Sequence, residues 1–194
     1  MKVSFERTVG PEYMTGAMRT TRGKDMYKKR KPSVDTWYKM LLSSHSSARS
    51  VRYRIYIENI PYYIHVHYVR HHEGFEPHVF SQRDDDCVLE VSNRNDKSQD
   101  ALIQMLADVN PMSILHLARE RLCYKAHRVA QQVMEKLKCA LIYEGDAYDR
   151  VLGNLMMRKC SWWRGYCNEP QPCGRIVGVK TLASIHKDAL EIER

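Results

Sequence analysis

The chain has 194 residues, 43% hydrophobic and 28% charged, a balance that excludes disordered and fibrous classes and suits one domain with a real core. Its net charge of +8 favours anionic partners such as nucleotides, nucleic acid or polyphosphate cofactors, without choosing among them. No apolar run approaches the roughly 20 residues of a membrane span, and MKVSFERTVG has no signal-peptide stretch, so we expect a cytosolic chain whose six cysteines are reduced thiols or metal ligands.

The first alternating segment, VSFERTV, predicts a small strand, followed to Lys31 by a solvated loop. The basic run Lys24 to Lys31 is either a solvent-facing patch or an attractor of phosphate. Ser33 as a cap, with Val34, Trp37, Met40 and Leu41 at helical spacing, predicts a short amphipathic helix over Ser33 to Leu42. After SSHSS, which contains His45, Val51 to Ile57 alternates with the period of a half-buried strand. From Pro61 the run IPYYIHVHYVRHH is a near tie between strand and helix. Its length of about ten residues favours helix, and Gly74 and Pro77 end it. A short strand is expected at Cys87 to Val91, between Asp84 to Asp86 and the polar Ser92 to Gln99, and a short helix at Asp100 to Val109. Pro111 to Leu137 reads as one helix of about seven turns, because Leu115, Ala118, Leu122, Ala126, Val129, Val133 and Leu137 recur at spacings of three and four. Beyond Ala140 the chain reads as irregular, apart from a helix over Tyr148 to Met157.

Chemistry concentrates in Tyr62 to Arg83, which holds His65, His67, His71, His72 and His78 together with Arg70, Ser81 and Arg83. So many imidazoles among aromatic and β-branched residues suggest a site for an anionic or heteroaromatic ligand. Asn110 and Pro111 form a natural N-cap and first-turn pair. Asn110 and Arg121 are close to three turns apart and share a helix face, with His116 also off the apolar stripe.

Taken together, VRYRIYI, Arg70-His71-His72, Ser81-Gln82-Arg83 and NPMSILHLARERLCYKAHRVAQQ resemble, in order, the motifs of the flavin-dependent thymidylate synthases, the ThyX family, and most of all its short phage and Firmicutes members. The resemblance runs from about Met18 to Leu137. It implies an α/β (α+β) fold with a central sheet and long helices, assembled as a homotetramer with shared sites. Residues 1–140 would form the catalytic domain, and 141–194 a C-terminal extension, bearing a cysteine cluster, packed on it. Arg70, His71, His72, Asn110 and His116 would hold FAD. His67, Ser81, Gln82, Arg83 and Arg121 would bind dUMP, with Ser81 and Arg83 at its phosphate. Ser81 and Arg121 would be catalytic, the guanidinium lying over the uracil, where a fixed cation stabilises charge developing on the ring. The implied reaction is C5 methylation of dUMP by methylenetetrahydrofolate with reduced FAD, NADPH being the reductant. The chain departs from the family where His72 and Met112 replace arginines and where an Asn-Glu pair before the serine is absent.

Other readings stand beside this one. His67 with His71, or His65 with His67, have metal-ligand spacing; Cys160, Cys167 and Cys173 could bind zinc or iron with His186. Arg121 could simply bridge to an acidic neighbour. Trp162, Trp163 and Tyr166 suit packing or a subunit interface better than a base-stacking platform. The missing Asn-Glu pair motivates another C5 modification, such as hydroxymethylation. The basic segments motivate a flavin-free nucleic-acid-binding module.

Overall fold

A computed structural model describes residues 1–71, 73–80, 98–175 and 180–181. The elements run β1 (Lys2–Val9), α1 (Glu12–Thr20), α2 (Val34–Leu42), β2 (Arg52–Pro61), α3 (Val66–Val69), β3 (Phe75–Val79), β4 (Leu102–Val109), α4 (Pro111–Arg121), α5 (Arg128–Tyr143), α6 (Ala147–Leu155) and α7 (Lys159–Trp162). A two-residue parallel pair, β5 (Tyr166–Cys167) and β6 (Lys180–Thr181), follows. Strands β1 to β4 form an antiparallel sheet in the order β1-β2-β4-β3. The fold is therefore mixed α/β around a central sheet, as expected.

Strand alternation decides which face of the sheet is buried. Tyr53, Ile55, Ile57 and Ile60 of β2 lie beside Val109, Ala107, Met105 and Ile103 of β4, and all eight are buried. On the other face Arg54 and its register partner Asp108 form a two-pronged ion pair at 2.9 and 3.0 Å. One extra residue of β2 lies between Ile57 and Ile60, a bulge that Asn59 accommodates at φ 58°. The helices supply the second layer, with Trp37 and Leu41 of α2, Leu115 and Leu117 of α4, Val133 and Leu137 of α5 and Leu152 of α6 in one apolar core.

Asp146 and Asp149 cap α6 reciprocally, and both face Arg7 of β1, at 2.5 and 2.7 Å. The Tyr53 hydroxyl donates to Asp149 Oδ1 at 2.8 Å, so one buried carboxylate ties β1, β2 and α6 together. Burial and the adjacent Asp149 push the Tyr53 hydroxyl well above its ordinary 10.0, so it stays a donor.

Several expectations are corrected. Asp100 to Val109 is not a helix: β4 is flanked by β2 and β3, and the i, i+2 spacing of Ile103, Met105, Ala107 and Val109 outweighs the helix-favouring composition of LIQMLADV. The single helix from Pro111 to Leu137 is two. Helix α4 stops at Arg121, and His127, with extended ψ 132°, caps α5 by accepting from Val129 N–H. The buried stripe breaks there, because Ala126 and Val129 are only half-buried and burial resumes at Ala130. Order also extends past Ala140, to Tyr143. The loop expected before Lys31 contains α1, which the periodicity concealed because Met14 is its one large, fully buried side chain. The IPYYIHVHYVRHH run is shared: β2 continues to Pro61, a 3-10 turn covers Tyr62–Ile64, and α3 is a single turn. The strand, the Ser33-capped helix α2 and the α6 helix fall where expected, and Lys24 to Lys31 is exposed throughout. The expected strand at Cys87 to Val91 lies outside the described residues, as do His72, Ser81, Gln82, Arg83 and His186.

Candidate functional site

The 3-10 turn and α3 are anchored from below. Ile64 and Tyr68 are fully buried, and the Tyr68 hydroxyl donates to the Ala130 carbonyl at 2.7 Å. Burial pushes that hydroxyl above its ordinary 10.0, so it remains a donor at physiological pH. This anchor fixes the end of α3, where Arg70 and His71 emerge.

The chain then docks on the N-terminus of α4. Gly74 O accepts from Asn110 N–H at 3.1 Å and from Asn110 Nδ2 at 3.3 Å, while Ser113 Oγ donates to the Glu73 carbonyl. Asn110 Oδ1 meanwhile accepts from Ser113 N–H at 3.0 Å, so Asn110 is a helix cap and a wall of the site at once. Gly74 sits at φ +66°, and a Cβ there would lie 1.8 Å from Asn110 Nδ2. Only glycine fits both the left-handed conformation and the approach.

A cavity of about 770 Å³ lies here, lined by Arg70, His71, Glu73, Gly74, Asn110, Met112, Ser113, His116 and Arg119, together with Ser44 and Arg49. Three guanidiniums and two imidazoles face one carboxylate, a lining that suits an anion. Among the described residues Arg119 Nε and Nη2 are buried without a hydrogen-bond partner, although its guanidinium stacks 3.9 Å over the Trp162 ring. Unsatisfied donors of this kind are costly unless a ligand meets them, and burial lowers the Arg119 pKa from its ordinary value. The volume, charge and donor set fit a cofactor that carries phosphates.

Behind the cavity wall, Arg121 Nη2 donates to His71 Nε2 at 2.9 Å. Since arginine has no acceptor, the His71 proton sits on Nδ1 in this arrangement. The His71 ring meets that of His116 edge-on at 5.6 Å. His67 stacks on His127 at 5.5 Å and 23°, and Tyr63 meets His127 edge-on at 5.5 Å. Burial first, then the charges of Arg121, His127 and Arg70, hold His67 below its ordinary 6.5, so it is neutral at physiological pH.

Of the expected site residues, Arg70, His71, Asn110 and His116 converge on the one cavity. Arg121 reaches it through His71 and itself lines a smaller neighbouring cavity. His67 lies close enough to Arg121 to feel its charge, yet it packs on His127 instead of lining the large cavity. His45 caps the turn at Ser46–Ser50. Arg119, Arg49, Ser113 and Gly74 were missed. Arg119 was the most legible of these, because Ser113, His116 and Arg119 repeat every third residue on one face of α4. The acidic-bridge alternative for Arg121 gains no support among the described residues, where its side-chain hydrogen bond goes to an imidazole. Among the described residues no group of three His, Cys, Asp or Glu side chains is placed to hold a metal, so the histidine-pair and three-cysteine metal readings gain no support there. None of the helices among those residues is long and apolar enough to cross a membrane.

No family model matches the chain, and no curated protein matches it in sequence. Solved structures do. Thymidylate synthase X from Helicobacter pylori, solved with FAD and dUMP, superposes with a TM-score of 0.60 at 14% identity, over 80% of this chain and 99% of its own. A second structure of the Helicobacter pylori enzyme, also complexed with FAD and dUMP, gives 0.59 at 14%, over 81% and all of its chain. The UMP/dUMP methylase PolB from Streptomyces cacaoi, bound with 5-Br dUMP, gives 0.59 at 11%, over 81% and 97%. At such identities the likeness establishes the architecture: this chain has the mixed α/β fold of the ThyX thymidylate synthases.

Proposed function

We propose that the protein is a flavin-dependent enzyme that modifies C5 of dUMP, most directly by methylation to dTMP. The observation that carries this reading is the convergence of Arg70, His71, Asn110 and His116 on one cationic cavity, in a fold whose solved representatives include proteins bound to FAD and dUMP. When bound, FAD and methylenetetrahydrofolate would supply the reducing equivalents and the one-carbon unit, with NADPH as reductant. Arg70, Arg119 and the Asn110 amide would hold the flavin's phosphates and polar edge, and His71 and His116 would border it. Arg121, held by His71, would present a fixed cation to the uracil, stabilising negative charge on the ring. His67, neutral and beside Arg121, would be able to accept a hydrogen bond from the nucleotide.

Ser81, Gln82 and Arg83 would bind the dUMP phosphate, His72 would join the flavin ligands, and Ser81 would act near the reacting ring. The sheet bears on how. Strand β3 starts beside Asn110, with Phe75 opposite Val109, and runs away from the cavity until Phe80 N–H meets Gln104 O. Six residues at about 3.3 Å each separate Gly74 from Phe80 by about 20 Å. The Ser81 to Arg83 segment would then serve the cavity of a neighbouring copy, which accords with a homotetramer. Residues 141–194 would be an extension packed on the catalytic domain.

Met112 lies in the cavity lining, where a guanidinium would have added charge, and this favours as second reading a different C5 modification, such as hydroxymethylation. The nucleic-acid reading rests on Lys24 to Lys31 and the basic tail, and only the exposure of Lys24 to Lys31 supports it. The test is an absorbance spectrum of the purified protein with FAD, followed by titration with dUMP. Flavin bands that shift with dUMP support the reading, and product analysis with labelled folate separates methylation from hydroxymethylation. A protein that binds neither ligand refutes it.

A further inference from the structure

A smaller cavity of about 260 Å³ lies next to the large one, lined by Cys123, Cys160 and Cys167 together with Arg119, Arg121 and Lys125. Its thiols come from three separate places: the connection after α4, the helix α7 and the strand β5. The sequence grouped Cys160 and Cys167 with Cys173, but it is Cys123 that joins them at the cavity.

The turn between α7 and β5 is what brings Cys167 back. Arg164 and Gly165 have φ 50° and 96°, Gly165 N–H donates to Cys160 O at 2.7 Å, and Tyr166 N–H donates to Trp163 O at 3.2 Å. The left-handed pair reverses the chain, so that Cys160 and Cys167 face the same small space. All five described cysteines are free thiols, and among the described residues no group of three His, Cys, Asp or Glu side chains is placed to hold a metal. Two free thiols lining one cavity can exchange with a disulfide.

We propose that Cys160 and Cys167 form a thiol–disulfide exchange site that accepts a small-molecule disulfide. The Cys167 sulfur attacks one sulfur of the small disulfide, forming a mixed disulfide and expelling the first thiol. The Cys160 sulfur then attacks the Cys167 sulfur, closing the internal bond and expelling the second thiol. The two protein thiols lose their protons to the departing thiolates and give up two electrons; the small disulfide is reduced to two thiols. This order assigns the second attack to Cys160, whose thiol burial, then the neighbouring Cys167 and Cys123, raise above 9.0, disfavouring it as the first nucleophile.

The site adjoins the larger cavity through α7. Trp162, two residues after Cys160, stacks on Arg119, and Lys159 pairs with Glu120 at 2.7 Å. Closing the bond would stiffen the turn that carries this support.

The test uses the full chain, native, incubated with oxidised glutathione, then blocked with N-ethylmaleimide and read by intact mass and peptide mapping. The expected result is a mass lower by two hydrogens before blocking and a linked peptide containing Cys160 and Cys167. In the Cys160→Ser variant, glutathione should remain on Cys167, whereas Cys139→Ser should leave the link intact. Glutathione retained on separate cysteines of the unsubstituted protein, a link through Cys123, or reaction only after unfolding in urea would each overturn the proposal. The unsubstituted protein decides the outcome, so it does not depend on the folding of a variant or on flavin binding.

Discussion

Gly74→Ala tests the architecture of the large cavity most directly. At φ +66° an alanine costs about 1–2 kcal/mol relative to its ordinary conformations. Its Cβ would also lie 1.8 Å from Asn110 Nδ2 and 2.9 Å from Ser113 Oγ, so the Asn110 side chain must move. Displacing it removes the cap of α4, worth about 1 kcal/mol. The sum, about 2–3 kcal/mol, corresponds to a fall of about 4–12 °C in Tm for a chain of this length. Thermal unfolding of the ligand-free protein, followed by circular dichroism, measures it, and an FAD titration of the same samples should show weaker binding because a wall of the cavity has shifted. Gly74→Asn separates the two causes. Asparagine tolerates left-handed backbone better than alanine but carries the same Cβ, so it should recover part of the stability and none of the flavin affinity. An unchanged melting midpoint and unchanged FAD binding in Gly74→Ala would refute the Gly74–Asn110 contact as the organising feature of the site.

Arg121→Ala removes a charged hydrogen-bonding group, for which about 1.5–3 kcal/mol, or roughly 10- to 150-fold in dUMP affinity or turnover, is expected, with the oligomeric state unchanged by light scattering; equal dUMP titrations would remove Arg121 from the site. His71→Ala should lower flavin occupancy of the purified protein, and normal occupancy would give the imidazole cluster another purpose. Asp149→Ala removes the acceptor of the buried Tyr53 hydroxyl and leaves Arg7 with Asp146 alone, and should cost about 1–3 kcal/mol in urea unfolding, an unchanged midpoint showing that the Tyr53 hydroxyl is already solvated. For His67, burial and nearby cations place the folded pKa below 6.5, so the unfolded chain binds more protons between the two values. Its contribution to stability is therefore complete above about pH 6.5 and is lost as the pH falls through the folded value. Denaturation midpoints from about pH 5 to 7.5 should rise with pH less steeply in His67→Gln, and identical slopes would exclude His67 as a source of the dependence.

The parts of the fold that could be read from the chain are those where one local rule acts unopposed. Ser33 and Asn110 cap the helices they precede, and Val51 to Ile57 alternates because one face of β2 is buried. Where two rules compete, the sequence is silent about the winner. LIQMLADV satisfies both helix propensity and strand alternation, and the choice falls to β2 and β3, distant in sequence, which supply hydrogen bonds on both edges. The α4 to α5 break is harder still, since neither proline nor glycine marks it. Spacings of three and four survive across Leu122, Ala126 and Val129 even though the helix does not.

The site divides in the same way. Arg70, His71, Asn110 and His116 could be named because motif order carries them, whereas Arg119, though on the α4 face of Ser113 and His116, owes its stacked position to Trp162, in a segment that begins after α6. The direction of β3 is of the same kind. No spacing in the chain shows that β3, which begins at Phe75 beside Asn110, leads away from the cavity to Phe80, and that direction makes the proposed phosphate ligands Ser81 to Arg83 a question about a second copy. If the site is shared, mixing Arg121→Ala and Arg83→Ala chains should restore part of the turnover that each lacks alone, because some cavities would then combine the intact Arg121 of one copy with the intact Arg83 of another. No recovery in an assembly shown to exchange subunits would place both residues in the cavity of a single chain.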